Sequence, residues 1–188
     1  MDTRILIPII IVVAAIVVIA ALLYARRRKS EQLKQKFGSE YDRVVQQHKD
    51  PARAETILAD REKRVSHFQI RSLPPADRDR YAQDWAVVQK QFVDDPQGAV
   101  TEADVLVTRV MNSRGYPMGD FDQRAADLSV NYPSVVQNYR AAHDIALSHG
   151  KGEASTEDMR IAMVHYRSLF DELLESPRPV QAIRREVA

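Results

Sequence analysis

The side chains best suited to chemistry in this sequence are its histidines, which could bind a metal ion or transfer a proton. They are His48, His67, His143, His149 and His165. A helical zinc or di-iron site needs a histidine three or four residues from a second histidine or a carboxylate, so that both point into one site. The sequence has no HExxH motif, and no Asp or Glu stands three residues before a histidine. His143 and His165 fall on two predicted helices and could meet in space.

Nucleophilic and phosphate-binding chemistry is not supported by any motif. Cysteine is absent, which excludes thiol catalysis, disulfides and cysteine-ligated metals. Neither GxSxG nor GxGxxG occurs, and Gly150-Lys-Gly152 is too short for a P-loop. The carboxylates cluster at predicted helix ends, where negative charge complements the helix dipole. We therefore expect that the protein is not an enzyme and that it has no cofactor and no metal site. The alternative is a metal-binding protein or enzyme that uses His143 and His165.

An uncharged apolar segment, Ile5–Tyr24, predicts a transmembrane helix. Twenty residues of helix span roughly 30 Å, the thickness of the hydrocarbon core of a bilayer. Many basic residues follow this segment, whereas Arg4 alone precedes it, so the positive-inside rule places the body of the protein in the cytoplasm. We call the basic residues after the segment the collar: Arg26, Arg27, Arg28, Lys29, Lys34 and Lys36. We expect an uncleaved, single-pass anchor with the collar facing lipid, and a cleaved signal peptide is the alternative.

The distribution of charge along the chain argues against nucleic-acid binding. The whole chain carries a net charge of +1, but residues 26–36 carry +5, residues 37–176 carry −6 and the tail from residue 177 carries +2. A nucleic-acid binder needs a basic face on its folded domain. The predicted partners are therefore the lipid bilayer and an unidentified protein, without nucleic acid. A sensor of anionic lipid that uses the collar is a further alternative.

Apolar side chains that recur every three or four residues predict helices along the body of the chain. The stripe that begins at Met159 is the strongest, and another begins at Val100. Helix starts are predicted at Asp95, which precedes a proline, and at Ser155, which opens a capping box. Arg114-Gly115 predicts a helix end. Because no segment alternates between apolar and polar residues, no strand is expected.

The predicted fold class is all-α, with a single N-terminal transmembrane helix followed by a bundle of about five or six helices. We expect Trp85 and Phe170 in the core of that bundle. The predicted divisions are a short tail at 1–4, the transmembrane helix at 5–24, a basic collar and helical stalk at 25–72, the bundle core at 73–176 and a flexible tail at 177–188.

Two loops between predicted helices contain tyrosine beside proline and are candidate interaction surfaces. The first loop, Gly115–Gly119, includes Tyr116 and Met118, and the second, Leu128–Pro133, includes Tyr132. Loops that a rigid scaffold positions often carry binding residues. The alternative is that both loops are packed connectors, whose side chains fill the end of the bundle.

Several strings of residues in this sequence resemble an uncharacterised bacterial family of small helical proteins. The strings occur in one order between Phe37 and Leu174: Phe37–Asp42, Phe92–Val100, Arg114–Pro117, Asp127–Pro133, Tyr139–His143 and Met163–Phe170. The resemblance implies a bacterial helical domain, often behind a hydrophobic N-terminus, and it implies no activity. Together with the charge pattern, it predicts a protein-interaction or scaffolding module at the bacterial inner membrane, with its C-terminal domain in the cytoplasm.

Overall fold

The computed structural model describes the backbone of residues 3–150 and 154–175, and the side chains of residues 12–148 and 154–175. Within these ranges the chain forms eight α-helices and no strand. The helices are α1 (Thr3–Phe37), α2 (Ser39–His48), α3 (Pro51–Val65), α4 (Pro75–Gln91), α5 (Pro96–Ser113), α6 (Phe121–Asn131), α7 (Val136–Gly150) and α8 (Thr156–Glu175). The prediction of an all-α helical bundle is confirmed, and the predicted tail at 177–188 lies outside the described residues.

The prediction of a transmembrane helix is wrong. In the part of the chain that the structure describes, no helix is long and apolar enough to cross a membrane. Residues 5–11 of the predicted span lie outside the described side chains. The predicted inner-membrane location depended on this span and stays a prediction.

The chain divides into two compact units, Met1–Glu55 and Thr56–Ala188. In the first unit, α1 passes into α2 at Gly38, whose φ of +49° lies in the left-handed region that favours glycine. Glu40 of α2 is fully buried, and the guanidinium of Arg43 donates to both of its carboxylate oxygens at 2.7 and 2.8 Å. The buried apolar side chains of this unit are Leu33, Phe37, Tyr41, Val44 and Ala54.

The core of the second unit is built around α5, which packs against α4, α7 and α8. The apolar stripes predicted for α5 and α8 are both buried. On α5 they include Val100, Ala103, Leu106, Val107, Val110 and Met111, and on α8 they include Met159, Ala162, Met163, Tyr166, Leu169, Phe170 and Leu173. Trp85 of α4 stacks on Phe170 with ring centroids 4.7 Å apart. The prediction that these two aromatic residues lie in the core is confirmed.

The predicted helix starts are also confirmed. The carboxylate of Asp95 accepts a hydrogen bond of 2.8 Å from the backbone N–H of Gly98, which would otherwise lack a partner at the start of α5. At the start of α8 the backbone N–H of Ser155 donates to Asp158 at 2.8 Å, and the backbone N–H of Asp158 donates to the Ser155 hydroxyl at 3.2 Å. This reciprocal pair is a capping box.

A buried carboxylate joins α3 to α6 within the second unit. Asp127 is 1% exposed, and its Oδ1 lies 3.3 Å from Nε of Arg64 and accepts a hydrogen bond of 2.9 Å from Gln123. Arg61 of α3 donates to the Ser129 hydroxyl of α6 at 3.2 Å. Burial raises the pKa of Asp127, and the nearby Arg64 guanidinium opposes that shift.

A fully buried arginine closes the end of the core. Arg114 follows α5, and its Nη1 donates to the backbone oxygen of Leu173, in the last turn of α8, at 2.6 Å. The last carbonyls of a helix carry partial negative charge, so the end of α8 compensates this cation. Gly115 follows with φ +92°, and a Cβ atom there would collide with the backbone oxygen of Gln69. The sequence predicted only that Arg114-Gly115 ends a helix.

Candidate functional site

An open groove of about 360 Å³ lies on the second unit and is formed by α5, the connector that follows it and α6. We call it the α5–α6 groove. Its lining residues are Asp104, Val105, Thr108, Arg109, Asn112, Met118 and Arg124. The five residues from α5 share one face of that helix, away from its buried stripe, because they recur every three or four residues. The volume falls within the range of about 300–1,000 Å³ that is usual for ligand sites.

Arg124 forms one wall of the groove, and two hydrogen bonds fix its guanidinium. Nε donates to the hydroxyl of Tyr139 at 3.3 Å, and Nη1 donates to the backbone oxygen of Gly119 at 3.1 Å. Nη2 lies 3.9 Å from Oδ2 of Asp104, which is too long for a hydrogen bond. A guanidinium has five N–H donors. The groove therefore contains a positioned cation with donors that these two hydrogen bonds do not use.

Two buried tyrosines lie behind Arg124. Tyr139 and Tyr166 are fully buried, and their rings meet edge to face with centroids 6.1 Å apart. Burial raises the pKa of Tyr139 to about 12, and the carboxylate of Asp104 adds to that shift. The same two causes, burial first, raise the pKa of Tyr166 above its usual range. Both hydroxyls therefore stay protonated at neutral pH, and neither is a phenolate nucleophile.

His143 lies beside this cluster on α7 and stacks on Phe121. The two ring centroids are 3.5 Å apart and the rings are nearly parallel, at 9°. Burial lowers the pKa of His143 below 6.5, and the carboxylates of Asp104 and Asp144 oppose this shift. The imidazole is therefore mainly neutral at pH 7. Its stacking on Phe121 gives it a packing role in the wall of the bundle.

The other histidines do not complete a metal site in the described residues. His165 lies half-buried on α8, His48 and His67 belong to other segments, and the side chain of His149 lies outside the described residues. Where side chains are described, no group of three or more His, Asp or Glu residues is placed to hold a metal ion. The alternative of a metal or catalytic centre at His143 and His165 stays a prediction.

The predicted interaction residues separate into two kinds. Tyr116 and Tyr132 are only 2% and 5% exposed, and Asn131 donates a hydrogen bond of 2.8 Å to the Tyr116 hydroxyl. Both tyrosines thus match the alternative of packed connectors. Met118, in contrast, is 43% exposed and lines the α5–α6 groove. Of the three residues, Met118 is the one that a partner could contact directly.

The collar lies on the second half of α1, in the first unit. Five of its members are exposed: Arg26, Arg27, Arg28, Lys29 and Lys34. The sixth, Lys36, is half-buried, with its Nζ 6.0 Å from the centroid of the Phe37 ring. A role of the collar as a sensor of anionic lipid stays a prediction.

Sequence reasoning missed the polar residues of the α5–α6 groove. It explained the carboxylates, Asp104 among them, by their places at predicted helix ends, and it did not single out Arg109 or Arg124. The sequence did contain one signal that Arg109 is free to bind an external anion, because no carboxylate stands three or four residues from it on α5. The approach of Arg124 to this face depends on how α6 packs, and no local pattern encodes that packing.

The whole chain was also compared with known proteins. No protein family, curated protein or solved structure matches it. The comparisons therefore transfer no activity, ligand or binding residue to this chain, and its candidate site is defined by geometry and charge alone. The resemblance of its sequence to an uncharacterised bacterial family stays a prediction.

Proposed function

We propose that this protein is a helical protein-interaction module that binds its partner through the α5–α6 groove. The observation that carries the proposal is the pairing, in one groove, of an exposed apolar side chain, Met118, with a fixed guanidinium, Arg124. Methionine and arginine are enriched at protein interfaces, since a thioether adapts to the shape of a partner and a guanidinium anchors it.

The chemistry of the groove favours binding over catalysis. The buried hydroxyls of Tyr139 and Tyr166 stay protonated, because their pKa values are raised. His143 is mainly neutral and is stacked on Phe121. A nucleophile needs a neighbouring base that can accept its proton. The Tyr166 hydroxyl does have the carboxylate of Asp104 beside it, but burial and that carboxylate raise the pKa of the hydroxyl, so it keeps its proton. The groove does have the mixed apolar and polar lining of a recognition site.

Photo-crosslinking of the full chain tests this proposal. A benzophenone amino acid is placed at position 118 or, as a control, at position 87, because Val87 on α4 is 64% exposed and does not line the groove. In cells that naturally make the protein, we expect one discrete adduct from position 118 and none of the same mass from position 87. The adduct should weaken when Val105 on the groove wall is changed to aspartate. Identical adducts from both positions would contradict the proposal.

A further inference from the structure

Arg109 is the second guanidinium of the α5–α6 groove, and it has no counter-ion among the described residues. Its side chain is exposed, and the residues three and four positions away are apolar or uncharged: Val105, Leu106, Asn112 and Ser113. No other described side chain forms an ion pair or a hydrogen bond with it. An arginine without a local carboxylate retains its full capacity to bind an external anion.

The groove as a whole carries an uncompensated positive charge. Its ionised lining groups are Arg109, Arg124 and Asp104, so two cations face one carboxylate. That carboxylate lies 3.9 Å from Arg124 and forms no hydrogen bond with it. The body that contains this groove is acidic as a whole, with a net charge of −6 over residues 37–176. A local positive groove on an acidic body distinguishes this surface from its surroundings.

A second groove on the same unit provides a comparison. It has a volume of about 260 Å³ and is lined by Trp85, Gln89, Phe92, Arg160, Met163, Val164 and Arg167. Here too two arginines line the wall, but each is neutralised on its own helix. Arg160 pairs with Glu157 at 2.7 Å, and Arg167 pairs with Asp171 at 2.7 Å. Of these two grooves, only the α5–α6 groove has a lining arginine, Arg109, without an ion pair among the described residues.

We infer that the α5–α6 groove binds an acidic peptide segment of the partner, with one carboxylate of the segment held by Arg109 and Arg124. This inference rests on the proposed function and adds the chemistry of the partner. A guanidinium binds a carboxylate through two parallel N–H···O hydrogen bonds, and Arg124 has donors that its hydrogen bonds to Tyr139 and Gly119 do not use.

The remaining groove residues favour a peptide over a free phosphate ion. Val105 and Met118 make much of the groove wall apolar, which suits an aliphatic side chain next to the bound carboxylate. Asn112 offers an amide that can pair with a peptide backbone. The groove's surplus of one positive charge matches a single carboxylate, whereas a phosphate dianion would leave negative charge in excess beside Asp104.

Selection from a random peptide library displayed on phage tests the inference on the full chain. We expect the selected peptides to contain Asp or Glu next to an aliphatic residue. Binding of a synthesised peptide should weaken about tenfold in Arg109→Ala, a loss typical of an interface anchor. It should stay within about twofold in Arg160→Ala, because that arginine already has a carboxylate partner. Replacing the acidic residue of the peptide with its amide should weaken binding as much as Arg109→Ala does.

The contrary outcomes separate this inference from the proposed function. Selected peptides that crosslink to a benzophenone at position 118 but contain no carboxylate, or that bind Arg109→Ala normally, would overturn the inference and leave the groove as the interaction site. A failure of every selected peptide to crosslink at position 118 would remove the site itself. Displacement of the peptide by inorganic phosphate, but not by sodium chloride of equal ionic strength, would show that the groove binds phosphate and would overturn the inference of a peptide ligand.

Discussion

Replacing Phe170 with alanine should lower the free energy of unfolding of the second unit by about 4 kcal/mol. The Phe170 side chain is 1% exposed, and its ring stacks on Trp85 at a centroid distance of 4.7 Å and an angle of 26°. Loss of a buried phenylalanine costs about 3–5 kcal/mol, since apolar contact is lost and a cavity remains. About 0.5–1.5 kcal/mol of this belongs to the aromatic pair itself. Phe170→Leu, which keeps most of the volume, should cost about 1–2 kcal/mol.

The assay uses a probe that the sequence provides. Trp85 is the single tryptophan of the chain and lies in this stack, so its fluorescence reports directly on the second unit. Urea unfolding curves of the wild type, Phe170→Ala and Phe170→Leu give the three free energies of unfolding, provided that the m-value, the slope of this free energy against urea concentration, is the same in all three. Val164→Ala is the matched control on α8, because Val164 is 56% exposed and its truncation should change stability by no more than about 0.5 kcal/mol.

Two results would refute this reasoning about the core. A loss below about 1 kcal/mol in Phe170→Ala would mean that the side chain is not buried as described, because surface substitutions fall in that range. Equal losses in Phe170→Ala and Phe170→Leu would mean that the cavity does not determine the cost. Either result would remove the argument that α4 and α8 are joined through the Trp85–Phe170 stack.

Three further predictions, which use four substitutions, can be checked by urea unfolding. Burial lowers the pKa of His143, so the stability that its neutral imidazole contributes is complete above pH 6.5 and is lost as the pH falls through the lowered pKa. His143→Phe should therefore lose less stability on acidification than the wild type. Because burial raises the pKa of Asp127 above its ordinary value of 3.8, the folded state takes up that proton first and gains stability as the pH falls through the raised pKa toward 3.8. Asp127→Asn should lack this gain when compared with the wild type at each pH. Gly115→Ala should lower the free energy of unfolding by about 2 kcal/mol or more, since φ is +92° and the new Cβ would meet the backbone of Gln69. Gly38→Ala, with open space around its Cβ, should lower it by about 1 kcal/mol, as measured by circular dichroism during unfolding.

The structural features that could be predicted from the sequence are those that local patterns alone determine. The buried stripes of α5 and α8 follow from helical periodicity, and the starts at Asp95 and Ser155 follow from capping chemistry. The α5–α6 groove could not be derived in this way, because Arg109 and Arg124 come from different helices and their proximity depends on tertiary packing. The burial of Tyr116 could not be predicted either, since a tyrosine beside a proline occurs in both open and packed loops.

The buried Arg114 explains how the connector between α5 and α6 can hold Met118, the proposed binding residue, in a fixed position. Arg114 ties the start of the connector to the last turn of α8, and Gly115 permits the close passage of the chain beside Gln69. Tyr116 is buried next and accepts a hydrogen bond from Asn131. Three consecutive residues thus fix the backbone two positions before Met118. A partner that contacts Met118 would therefore lose little entropy by ordering this segment, and the buried cation of the core would in this way support the proposed recognition at the groove.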